Sequence, residues 1–247
     1  MMLVCGKAWG TDWINEASCV NAYLMDESSG SVIDSCGSND LGAVGNPTYS
    51  QTGKFGTSID FNGNDYFQAD QADITSLPMT MVAWGNADSI SQSNALIWIG
   101  DKDTEANYHA MYMAGQNTGD PVRAFTNGSA GFDFSAKIGF TAGTFFHVMG
   151  VWASSSSRIV YLNCVAGVAE TTTNNVTGED RTAIGMLRSS SPSAPMDGDI
   201  DEVGIFNLAF DGTDCSDIMT GGLSQADAPS TPTTVIRNAV IRNAIIR

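Results

Sequence analysis

Basic residues are scarce in this chain: 11 Lys and Arg stand against 27 Asp and Glu in 247 residues, a net charge of −16. Proteins that bind nucleic acid displace phosphate counterions with Lys and Arg, so the shortage argues against a nucleic-acid partner. Glutamate is rarer still, at Glu16, Glu27, Glu105, Glu170, Glu179 and Glu202, and the histidines are His109 and His147 alone. No apolar run approaches the roughly 18 residues of a membrane span, so no membrane insertion is expected. The opening Met1–Gly10 has no basic stretch, and its apolar run ends at Gly6, short of the about 7–15 residues of a secretory signal. The chain is therefore expected either to be a mature form carrying an added Met or to bypass the general export route. The five cysteines (Cys5, Cys19, Cys36, Cys164 and Cys215) are odd in number, irregular in spacing and without a Cys-x-x-Cys pair. That pattern supports neither a disulfide framework nor a zinc site, and predicts reduced packing residues. Whether Cys19 and Cys36 meet in an oxidising setting is left open.

What is present is a core. Hydrophobic residues make up 43% and aromatics 9%, with 26 Gly against 7 Pro, a composition suited to many short strands joined by Gly-containing turns. Strand signals fall at residues 20–25, 57–61, 66–67, 79–84, 95–99, 108–113, 122–126, 145–152, 158–162, 183–187 and 199–206. A brief helix is predicted near Thr213–Thr220. The body is all-β, a sandwich or barrel.

The composition changes near Ser224. Residues 224–234 are small, polar and Pro-punctuated, as a linker is. Then follow Val235-Ile236-Arg237-Asn238-Ala239, Val240-Ile241-Arg242-Asn243-Ala244 and Ile245-Ile246-Arg247, a five-residue repeat without an acid. Residues 1–234 hold 8 bases against 27 acids, so a body of net −19 precedes a cationic tail. In a strand, an odd period puts Arg237 and Arg247 on one face and Arg242 on the other, so neither face is cleanly apolar. In a helix, successive Arg residues are offset by about 140°, which leaves no single apolar stripe. Such a segment is predicted to act as an extended assembly tail, gripping other copies or neighbouring proteins.

Several segments, taken in order, carry a resemblance. They are Tyr23–Gly30; Gly53-Lys54-Phe55-Gly56-Thr57-Ser58-Ile59-Asp60-Phe61-Asn62-Gly63 followed by Asp65-Tyr66; Met79-Thr80-Met81-Val82-Ala83-Trp84; Phe146-His147-Val148; and Gly198-Asp199-Ile200-Asp201-Glu202-Val203-Gly204-Ile205-Phe206. Together they resemble laminin-G-like, concanavalin A-like lectin-glucanase jelly rolls. The resemblance implies a jelly-roll β-sandwich over residues 19–223, with 1–18 as an N-terminal extension. One departure lies at Val160–Gly167, where such domains carry an Asp-Gly hairpin and this chain does not; a remodelled turn is expected there.

The fold hosts enzymes, lectins and structural modules alike. Its retaining glycosidases set two Glu on one strand, about 5–5.5 Å between carboxyls, and no two Glu here are close enough in sequence for that. Asp197, Asp199 and Asp201 alternate onto one face, but the resemblance puts Asp201 on a structural strand outside any cleft, and no Ser or Cys nucleophile motif accompanies the histidines. No enzyme is expected. The Asp run resembles an EF-hand loop but lacks its Gly and final Glu. The resemblance implies instead a possible structural Ca²⁺ at Asp201, with Asp26 a second ligand; the alternative is that Asp201 hydrogen-bonds a loop. Trp98, Tyr108 and Tyr112 are the candidate sugar platforms, with core packing the competing role. Three function classes follow: a virion structural protein (capsid decoration or tail-associated subunit of a phage, such modules being common there) binding copies of itself, capsid or tail proteins; a secreted carbohydrate-binding or adhesion module at cell-surface glycans; and, disfavoured, an enzyme. The tail favours the first.

Overall fold

The computed structural model describes residues 11–224. Its strands run in chain order β1 (Cys19–Tyr23), β2 (Gly42–Val44), β3 (Thr48–Thr52), β4 (Thr57–Asn62), β5 (Tyr66–Ala69), β6 (Met79–Ala87), β7 (Ser93–Gly100) and β8 (Tyr108–Ala114). They continue with β9 (Pro121–Gly128), β10 (Gly131–Ile138), β11 (Phe146–Ser154), β12 (Ser157–Leu162), β13 (Val165–Ala166), β14 (Arg181–Ile184) and β15 (Asp197–Phe206). One helix, α1 (Gly212–Gly221), follows. All pairings are antiparallel. The strands form an eight-stranded sheet ordered β13-β12-β11-β6-β15-β4-β3, with β1 also on β15, and a seven-stranded sheet ordered β10-β9-β8-β7-β14-β5-β2.

Period-two alternation decides what lies between the sheets. On β8, Met111 and Met113 face inward with Ile97, Ile99, Val122 and Ala124 of the same sheet. They meet Met79, Met81, Ala83, Val148, Ile200 and Ile205 of the other. Trp152 crosses the interface, its indole N–H donating 3.0 Å to the Thr126 hydroxyl of β9. The outer face of the eight-stranded sheet is also covered. There α1 lays Cys215 and Ile218 against Val82, Met149, Val151, Phe206 and Phe210. The helix starts because the Asp211 carboxylate accepts the N–H groups of Thr213 (2.7 Å) and Asp214 (3.2 Å), while Asp214 returns a bond to Asp211 N–H. Among the described residues, no helix covers the outer face of the seven-stranded sheet, where Leu187 and Ala194 pack beside Trp98 and Tyr108.

Several expectations need correction. The cysteines of the body are not reduced packing residues: Cys19 is bonded to Cys36, and Cys164 to Cys215. The second bridge ties α1 to the β12–β13 turn, 51 residues away in sequence, a pairing that spacing alone does not signal. The turn at 160–167 is not remodelled. Leu162 pairs with Val165, leaving Asn163 and Cys164 as a two-residue hairpin, both at positive φ (48° and 61°). This is the left-handed pair that Asp-Gly ordinarily supplies. The N-terminal extension is in part body, because Trp13 is buried against Phe206 and Phe210, with ring centroids 6.1 and 5.1 Å away. Strands β2, β3, β10 and β13 were not expected from the sequence. The linker and the assembly residues Val235, Ile236, Arg237, Val240, Ile241, Arg242, Ile245, Ile246 and Arg247 lie outside the described residues, apart from Ser224.

Candidate functional site

The outer face of the seven-stranded sheet holds a groove of about 640 Å³ lined by Gln92, Ser93, Tyr108, Tyr112, Gln116, Arg123, Phe125, Phe132, Phe134, Leu187, Ser193, Ala194 and Pro195. Strand register builds its floor. Phe134 of β10 lies opposite Phe125 of β9, Phe125 opposite Ala110 of β8, and Ala110 opposite Trp98 of β7. A parallel row sets Arg123 beside Tyr112. The rings touch: Tyr108 stacks on Phe125 (5.7 Å), Tyr112 meets it edge-on (5.6 Å), and Phe132 and Phe134 lie 5.5 and 6.4 Å from it. Phe132 is 69% exposed and Phe134 38%. Two exposed phenylalanines over a ring-packed floor form an apolar platform, and Gln92, Gln116, Ser93 and Ser193 supply polar atoms at its rim.

β10 is held at the sheet edge by an inverted pattern. Its inward residues are polar: Asp133 pairs with the buried guanidinium of Arg158, and Ser135 donates its hydroxyl to the Val168 carbonyl. Arg158 also donates to the carbonyls of Ser155 (2.8 Å) and Thr172 (3.0 Å), and Asn174 donates 2.8 Å to Asp133. With its polar residues turned inward and satisfied, β10 presents Phe132 and Phe134 outward.

Of the expected platforms, Tyr108 and Tyr112 line this groove, while Trp98 does not. Trp98 lies on the same face but beside the groove, wholly buried against Tyr108, Ala110, Ala183 and Leu187, so it supports the site without lining it. Phe125, Phe132, Phe134 and Arg123 were missed. The available signal was Phe-x-Phe at 132–134, hidden because the intervening Asp133 makes the segment look like a polar loop.

Asp201 and Asp26 lie under one loop, Gly53–Gly56. Asp201 Oδ2 accepts the N–H groups of Lys54 (2.7 Å) and Phe55 (3.0 Å), and Asp26 Oδ1 accepts that of Thr57 (2.6 Å). The two glycines explain the motif: a Cβ on Gly53 would sit 2.8 Å from Asp201 Oδ2, and one on Gly56 (φ +54°) 2.4 Å from Asp26 Oδ1. Burial, and secondarily the Asp26 charge, pushes the Asp201 carboxyl up to about 7 against the opposing pull of the loop N–H groups. Asp201 Oδ1 is buried with no hydrogen-bond partner among the described residues. An orphaned carboxylate oxygen and a second carboxylate nearby are hard oxygen donors of the kind Ca²⁺ takes, and could supply part of its shell of about 6–8 oxygens. The neighbouring Glu202, at φ 51° in a β-bulge, turns away to accept Leu223 N–H. His147 lies near Cys164 and Cys215, but both sulfurs are committed to their bridge. Burial holds His147 down to about 3, and burial with the Arg158 charge does the same for His109. No described helix is long and apolar enough to cross a membrane.

The family model described as the concanavalin A-like lectin/glucanases superfamily matches residues 61–215. No curated protein matches the chain. Among solved structures, domain 4 of an extracellular GH43 arabinanase from Geobacillus stearothermophilus, in complex with arabinotriose, superposes with a TM-score of 0.66 at 20% identity. That match covers 83% of this chain and 100% of that one. The receptor-binding domain of botulinum neurotoxin mosaic serotype C/D gives 0.64 at 9% identity, over 83% of this chain and 51% of that one. Trypanosoma rangeli sialidase with sialic acid gives 0.63 at 14%, over 84% of this chain and 33% of the sialidase. At these identities the likeness is one of fold.

Proposed function

Since the chain belongs to the concanavalin A-like lectin/glucanase superfamily, we propose that it is a carbohydrate-binding module without catalytic activity, and that the groove on its seven-stranded sheet holds the glycan. The observation that carries this reading is the pair of exposed rings, Phe132 and Phe134, standing on the Tyr108–Tyr112–Phe125 floor. Sugar C–H faces pack on such rings, while side-chain amides and hydroxyls hold their O–H groups. The non-catalytic reading is supported by the groove lining, which includes no Asp or Glu, whereas glycoside hydrolysis ordinarily needs two carboxyls across the scissile bond. The arabinanase domain that holds arabinotriose supports the reading by its fold. The test is a glycan array followed by calorimetric titration of the best ligand. Phe134→Ala should weaken binding by about tenfold or more, the scale of one stacked ring, with no hydrolysis of any bound glycan. An array without retained glycans, or Phe134→Ala binding as tightly as the parent, overturns it.

Two finer proposals accompany this one. Asp201 and Asp26 are proposed to hold one structural Ca²⁺, supported by the orphaned Oδ1. The basic pentads at 235–247 are proposed as an arm that joins the module to other copies or to a particle such as a phage capsid or tail, supported by their charge opposite a body of net −19. The two disulfides point to oxidising surroundings, which the extracellular space and virion surfaces both provide.

A further inference from the structure

Resting on the groove as the glycan site, we infer that its ligand is an acidic glycan, one carrying a carboxylate or sulfate ester, and that Arg123 together with Tyr112 reads that group. The chain has 27 acidic residues, yet none of those among the described residues lines the groove, and Arg123 is the one ionised residue in that lining. On a body of this charge, an acid-free groove is the surface an anion can approach with least repulsion.

Lys102, Arg158 and Arg181 each sit on an aspartate, at Asp180, Asp133 and Asp70. Among the described cations, Arg123, Lys54, Lys137 and Arg188 have no carboxylate in salt-bridge range, and of these Arg123 is the one that lines the groove. Its guanidinium lies over the Phe134 ring at 4.0 Å and beside Tyr112 at 5.7 Å, and Nη1 donates 2.8 Å to the Tyr112 hydroxyl. No other donor of its fork has an acceptor among the described residues, and Nε is buried without one. Stacking therefore fixes the plane of the fork before any ligand arrives, which lowers the ordering cost of binding.

The donor count then selects the ligand. The Tyr112 oxygen already accepts from Arg123, so its own hydrogen is left to donate. Arg has donors only. A sugar hydroxyl could accept from this pair only as a neutral group and would have to place its own hydrogen elsewhere, on the rim amides and hydroxyls or in water. A carboxylate or sulfate oxygen only accepts, and meets the guanidinium in charge-assisted bonds. Phe134 has a double part here, as platform for the sugar ring and as bed for the guanidinium.

The experiment uses the full chain on an array of matched pairs: uronate, sialylated and sulfated glycans beside their neutral parents. Carboxylated and sulfated members form separate arms that identify the acidic group. The acidic member of a pair should bind at least tenfold tighter, and less so as salt is raised. Arg123→Gln should bring the ratio of acidic to neutral binding to about one, a 10–100-fold loss of preference; Arg123→Lys should retain part of the preference. Phe134→Ala should lower binding of both. Equal binding of acidic and neutral members, or a preference that survives Arg123→Gln, overturns this inference and leaves the groove as a glycan site. No retained glycan at all overturns both.

Discussion

Opening the Cys164–Cys215 bridge is the perturbation that most directly tests how this sandwich is held together. The bridge spans 51 residues and joins α1 to the β12–β13 turn. A loop of that length removes about 4 kcal/mol of unfolded-chain entropy when closed, against about 3 kcal/mol for the 17-residue Cys19–Cys36 loop. The native side changes less. Ala at 164 meets the same φ of 61° as Cys, and Cys215→Ala removes one sulfur buried between α1 and the sheet. The double variant Cys164→Ala with Cys215→Ala should therefore unfold at a lower urea concentration, followed by tryptophan fluorescence. With a slope of about 3 kcal/mol per molar, the midpoint should fall by more than about 1 M. The covalent claim has its own assay: alkylating the unfolded chain after reduction should add four more labels than alkylation without reduction. A midpoint shift below about 0.3 M would refute the energetic argument. A label difference of zero would refute the bridges and restore the reduced cysteines expected from sequence.

His147 and His109 are held neutral in the fold, each at about 3, and gain protons near 6.5 when unfolded. Their contribution is present above about 6.5 and lost as pH falls toward 3, by about 2 kcal/mol each at pH 5. His147→Gln should therefore lose about 2 kcal/mol less than the parent between pH 7 and pH 5 in paired urea titrations, and equal losses would dismiss the linkage. For Ca²⁺, excess chelator should lower the melting temperature of the parent, and Asp201→Asn should be insensitive to it; a parent melting curve unchanged by chelator leaves Asp201 with only its bonds to the Gly53–Gly56 loop. Deleting residues 235–247 should leave the melting temperature of the body in place and abolish self-association or particle binding, and a truncated chain that assembles as well as the whole one removes the arm.

The strand-rich class, the places of the central strands along the chain and the short final helix were legible in the sequence because each is a local property. Alternation along 79–84, 108–113 and 199–206 and the glycines of Gly53–Gly56 act over a few residues, and the structure places β6, β8, β15 and the carboxylate-covering loop there. Three things only the tertiary structure decided. The cysteine partners lie 17 and 51 residues apart, and nothing local to either member encodes the other. The role of each aromatic depended on which face of a sheet found a cover. Trp98 and Tyr108 share the outer face of their sheet, yet one is support beside the groove and the other its lining, because alternation assigns a side and not what lies beyond it. Finally, β10 escaped notice because its polar residues point inward to Arg158 and Asn174 and its phenylalanines outward. A strand with its pattern inverted looks like a loop until the buried partner that neutralises its aspartate comes into place from elsewhere in the chain.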